Sequence, residues 1–162
     1  MSEQATPQAP AAQPAEKDPV VIRAAAEAEY ARILGCFDVE KKTDTDAETI
    51  IRAIMAGRII LDEGKEELTY KLARPIELMN NSGIIEQIVF HEPTNTELEY
   101  INRGTKVQMN VEGEKMANMD MGDTFMKTTR FLTKVCNLPL GVAGRLKARD
   151  ASVVKAICDF FA

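Results

Sequence analysis

Tryptophan is absent from this chain, histidine occurs once, at His91, and cysteine three times, at Cys36, Cys136 and Cys158. With one imidazole, an odd number of widely spaced thiols and no C-x-x-C pair, both a zinc site and a disulfide framework are disfavoured. Aromatic residues make up only 6% of the sequence, so the core has to rest on Leu, Ile, Val and Met. Long hydrophobic runs are missing too. Arg58-Ile59-Ile60-Leu61 and Ile84-Ile85 fall far short of the ~20 consecutive apolar residues that span a bilayer. The opening Met1-Ser2-Glu3-Gln4-Ala5-Thr6 has neither a basic nor an apolar leader segment, which sets the expectation of a cytoplasmic protein.

The signatures of catalysis are equally sparse. No nucleophile elbow or papain-type cysteine accompanies His91, and Glu92, its neighbour at the end of a strand-like run, points to the opposite face and is badly placed to orient it. Asp44, Asp46 and Glu48 alternate like cation ligands but lack the glycine and terminal glutamate of an EF-hand; negative charge at a helix start is the plainer reading. Gly141 and Gly144 belong to no phosphate-binding motif, and close helix packing is expected of them. No catalytic residue, cofactor or metal is expected, and the chain reads as non-enzymatic.

What is present is an uneven charge. Up to position 104 there are 11 basic against 19 acidic residues, and beyond it 9 against 6, within a total of -5. Lys127, Arg130, Lys134, Arg145, Lys147 and Arg149 are interleaved with apolar positions, as on solvated helix faces, so nucleic acid is not an expected partner.

Residues 1–18, rich in Ala, Pro and Gln, read as a disordered tail. A helix is expected over 20–34 with Ile22, Ala26, Tyr30 and Ile33 on one side and Gly35 as its stop. A second helix is expected from Asp46 as cap to Gly57, carrying Ile50, Ile51, Ile54 and Met55. Ile59–Leu61, the turn Asp62-Glu63-Gly64-Lys65 and the alternation of Leu68, Tyr70 and Leu72 predict a hairpin. The cluster Asn80-Asn81-Ser82-Gly83 then leads to a further strand over 84–91. Thr94 and Glu97 form a capping box for a helix over 95–103. The stretch 105–123 reads as extended, then loop. Phe125, Thr128, Leu132 and Val135 recur at helical spacing, Pro139 opens a short helix bearing Leu140, Val142 and Leu146, and Asp150 caps a last helix with Val153, Val154, Ile157, Phe160 and Phe161 on one face. The fold class is therefore α+β: a small antiparallel hairpin or sheet followed by a C-terminal cluster of helices, with N-terminal helices and a disordered tail.

Met109, Met116, Met119, Met121 and Met126 crowd one stretch, and such soft side chains suit surfaces that fit varied apolar partners, although loop and core filling explains them as well. The run LTYKLARPIEL from Leu68, the run IIEQIVFHEPTNTELE from Ile84 and the closing CNLPLGVAGRLKARDASVVKAICDFF from Cys136 follow one another in a telling order. Strands, proline, capped helix, polar linker and terminal helices in that order resemble the tail assembly chaperones of contractile-tailed phages, the family typified by those of phages Mu and P2. The resemblance covers about residues 66–161, so 66–162 is expected to be the chaperone-like domain and 19–65 a helical extension without counterpart. It implies a protein of the host bacterial cytoplasm, absent from the mature virion, that binds the tape-measure protein and assists tail tube assembly. It further implies as partners a frameshifted longer form of the chain and the tail tube protein, and it leaves room for a homo-oligomer. The candidate partner-binding residues are Met116, Met119, Met121, Phe125, Leu132, Val153, Ile157, Phe160 and Phe161, some of them necessarily core. The alternatives are a virion structural protein of the tube or its completion, and, more distantly, a small nucleic-acid-binding regulator.

Overall fold

The computed structural model describes residues 19–40, 44–79, 82–103, 107–109, 115–117 and 121–162; for 19–21, 107–109, 115–117 and 121–123 it describes the backbone alone. The expected tail over 1–18, the turn residues Asn80 and Asn81, and Met119 lie outside the described residues.

The fold is α+β. Helices α1 (Pro19–Cys36) and α2 (Asp44–Met55) lead into strand β1 (Ile59–Asp62). Strands β2 (Glu67–Glu77) and β3 (Ile84–His91) complete an antiparallel sheet of order β1-β2-β3. Helix α3 (Asn95–Asn102), a small hairpin of β4 (Val107–Met109) and β5 (Lys115–Ala117), and helices α4 (Met121–Lys134), α5 (Val142–Arg145) and α6 (Ala148–Phe161) follow. The pairing of β4 with β5 puts Lys115 to Ala117 in a strand, and α4 begins at Met121, where the sequence reading expected loop.

Local chemistry explains most boundaries. Thr94 and Glu97 form the expected capping box: the Glu97 amide donates to Thr94 Oγ1 (3.3 Å) and the Thr94 amide to Glu97 Oε2 (2.8 Å). Gly57 takes φ +68° at the end of α2, a conformation open to glycine at no steric cost. Gly35, by contrast, is not a stop. It lies inside α1, and the left-handed residue just past the helix is Asp38, at φ 48°. The second helix begins at Asp44 rather than after Asp46, which places both carboxylates in its positive first turn. Asn137, at φ 51°, ends α4, with the Leu138 amide donating back to the Leu132 carbonyl (3.0 Å).

The inner face of the sheet, with Leu68, Tyr70, Leu72, Ile76, Ile88 and Phe90 buried, meets α6, whose Val154, Ile157 and Phe160 are buried in turn. Aromatic rings run through this core as a chain. Phe37, beyond the end of α1, lies 4.9 Å from Phe161; Phe161 lies 6.2 Å from Phe131 of α4, and Phe131 6.2 Å from Phe90 of β3. Residues from α1, α2, the sheet and the C-terminal helices share one hydrophobic cluster. The expected boundary between 65 and 66 falls in the turn of the β1–β2 hairpin, and within 19–65 it is α2 that packs against α6, with α1 packed on α2. Among the described residues no helix is long and apolar enough to cross a membrane.

Candidate functional site: an apolar groove between the C-terminal helices

One residue fixes the position of α6, and its role differs from the one expected. Asp150 is not the helix cap, because α6 begins at Ala148 after Lys147. It lies inside the first turn with 1% of its surface exposed. Between Lys71 and Ile76 the register of β2 slips: the four residues 72–75 stand against Glu86 alone, and a bulge frees backbone amides from the ladder. Asp150 takes them up. Its Oδ1 accepts from the Ala73 amide (2.7 Å) and the Tyr70 hydroxyl (2.7 Å), and its Oδ2 from the Arg74 amide (3.3 Å). Burial, and then the hydrogen bond to Asp150, push the Tyr70 phenol far above its usual range, so it stays a donor. Pro75 has no amide to leave unpaired.

Held in this way, α6 forms one wall of a depression of about 370 Å³, with α4 and α5 as the others. Phe125, Thr128, Ala143, Leu146, Ala151 and Ser152 line it. The polar members contribute little polarity. Thr128 Oγ1 donates to the Thr124 carbonyl (3.0 Å) and Ser152 Oγ to the Ala148 carbonyl (2.9 Å), so both hydroxyls are turned back on their own helices. Lys155 stands at the edge, paired with Asp159, which raises its pKa. Phe125 is 50% exposed, and Met126 beside it is exposed as well, so apolar surface is contiguous at this edge of the groove.

Of the sequence-predicted partner residues, then, Phe125 lines the groove. Leu132, Val153, Ile157, Phe160 and Phe161 are buried and belong to the core, and of these Val153 also reaches the lining of a second depression beside α6. The backbone of Met116 lies in β5 and that of Met121 at the start of α4, while Met119 is outside the described residues. The sequence reading missed Ala143 and Ala151, whose small side chains keep the groove open, and Phe131, which takes the inward position in α4. Gly141 and Gly144 are not close-packing contacts. Gly141 takes φ +91° before α5, and a Cβ at Gly144 would meet the Phe125 ring at an ordinary 3.9 Å.

Other reactive groups are committed. His91 Nδ1 lies 3.1 Å from the Glu92 carbonyl oxygen, which only accepts, so the ring is engaged with backbone and not with the Glu92 carboxylate. Burial raises the thiol pKa of Cys136 and Cys158, keeping both protonated and inert. Among the basic residues of the back third, Arg130 donates to the Ile101 and Arg103 carbonyls at the end of α3, Arg145 donates to the Glu77 carbonyl (2.7 Å), and Lys134 lies 5.0 Å from the Tyr100 ring centre. No group of three or more potential metal ligands occurs among the described residues.

Comparison of the chain with protein-family models, with curated proteins and with solved structures finds no match.

Proposed function

We propose that this chain is a tail assembly chaperone that holds helical segments of the tape-measure protein in the groove between α4 and α6, in the host bacterial cytoplasm, during tail assembly. The observation that carries the reading is the open apolar groove with the half-exposed Phe125 at its wall, located in the part of the chain where the strand, proline, capped-helix and terminal-helix order resembles that family. A long, largely helical client presents apolar stripes at i, i+3, i+4 and i+7, and a groove walled by helices accepts such a stripe. An open, largely apolar lining with few fixed polar contacts favours reversible holding over tight, specific capture.

Co-expression with the tape-measure protein tests the proposal. The expected result is that the client becomes soluble and co-purifies with the chain. A client equally insoluble with and without it, or a chain found as a stoichiometric component of purified virions, contradicts the proposal.

A further inference from the structure

On the other side of α6 from the groove lies a second depression, of about 310 Å³, and its lining differs in kind. Arg52, Arg58 and Arg149 line it, and among the described residues no Asp or Glu does, in a chain whose net charge is -5. The hydroxyls nearby are already committed: Thr49 Oγ1 donates to the Thr45 carbonyl (2.9 Å) and Tyr70 to Asp150. Asp150 itself is occupied by its three donors. Arg52 shares Glu48 with Arg23, at 2.9 and 2.8 Å. Among the described residues Arg58 and Arg149 form no ion pair, and with the one buried carboxylate nearby, Asp150, already held by its three donors, the two guanidinium groups are left to meet a partner's carboxylates.

Both are mounted on fixed backbone. Arg58 follows Gly57 at the α2–β1 corner, its amide donating to the Ala53 carbonyl (3.0 Å) and its carbonyl accepting from the Lys71 amide (2.8 Å). Arg149 adjoins Asp150, which is clamped to the bulge of β2. A guanidinium fork meets a carboxylate with two parallel hydrogen bonds, and a fixed backbone limits the positions each fork can reach.

The two depressions adjoin along α6. Ser152 lines both, and Arg149 and Ser152 are three residues apart on one exposed stripe of α6 that Lys155 extends along the groove. A helix with its side chains is about 10 Å across, so a helix seated in the groove brings one flank over that stripe.

We infer that the groove and the arginine-lined depression form a single docking surface for an amphipathic helix of a partner protein that carries carboxylates along one flank, its apolar stripe against Phe125 and Leu146 and its acidic flank toward Arg149 and Arg58. This deepens the chaperone reading and rests on it, because it specifies which segments of a long helical client are held.

The test uses the full chain and three labelled helical peptides of about 18 residues, five turns. All have the same leucine stripe, and the flank carries Glu, Gln or Lys. The Glu peptide is expected to bind about tenfold tighter than the Gln peptide at low salt, with the preference shrinking as salt is raised. The double variant Arg58→Gln/Arg149→Gln, with an unchanged thermal midpoint, is expected to lose that preference while binding the Gln peptide as before. Equal binding of the Glu and Gln peptides, a preference for Lys, or a preference that survives the double variant overturns the arginine assignment and leaves the apolar groove standing. Binding of no peptide overturns the whole surface. Failure of the tape-measure protein to co-purify while the peptide preference holds removes the identity of the client alone.

Discussion

Asp150 and Tyr70 show how much a single buried pair can determine. A carboxylate with 1% exposure is tolerable only because three donors reach it, and two of those are amides that the β2 bulge would otherwise leave unpaired. Asp150→Asn keeps the shape but turns an amide NH2 toward groups that themselves donate. It is expected to cost about 2 kcal/mol or more, a fall in thermal midpoint of roughly 4–8 °C, while Tyr70→Phe, which leaves two of the three bonds, costs less. Thermal unfolding of both variants checks the order; equal, negligible effects would mean the pair does not hold α6 to the sheet. The sequence shows an Asp before an apolar helix and invites the reading of a cap, because capping is a local rule. The actual partners lie 76 to 80 residues earlier in the chain, and no local pattern encodes them. Pro75 within a strand was the available sign that the ladder breaks there.

The elements were most legible where their chemistry is local. The capping box of α3 is written in Thr94 and Glu97 and is present as read. Hydrogen bonding from Thr94, first of all from its amide, holds the Glu97 carboxyl below the usual carboxylate range. A carboxyl with a lowered folded pKa contributes stability that is fully present above its unfolded value, about 4.3, and is lost as pH falls through the folded value. Thr94→Ala is accordingly expected to cost about 1 kcal/mol at neutral pH. Because Thr94→Ala keeps the amide, urea titrations of that variant are expected to retain most of the stability loss below about pH 4, whereas Glu97→Gln flattens it. The C-terminal helices were legible only as apolar faces, since periodicity does not say which side of a helix another element covers. That distinction is open to mutation: Ile157→Ala, wholly buried, is expected to destabilise by about 2–5 kcal/mol. Phe125→Ser, at a half-exposed wall, should shift stability by about 1 kcal/mol or less.

For the molecule as a whole, the fold class was readable from the alternation of strand and helix patterns, but its division was not. The N-terminal helices have no counterpart in the resemblance, whereas their buried side, Ala26, Tyr30, Ile33, Ile50 and Ile51, is part of the common core. A chain starting at residue 66 loses β1 and the α2 surface against α6. It is expected to show no cooperative thermal transition; a sharp transition near that of the full chain would restore the extension as a separate unit. Folding thus spends the N-terminal helices on positioning α6, and α6 in turn frames both the apolar groove and the arginine depression beside it. The most direct measurement of the central claim is the affinity of a helical tape-measure segment for the full chain and for Phe125→Ser, compared at matched stability. The account predicts that the variant folds like the parent and binds at least about tenfold more weakly; undiminished binding by a folded Phe125→Ser variant would contradict it.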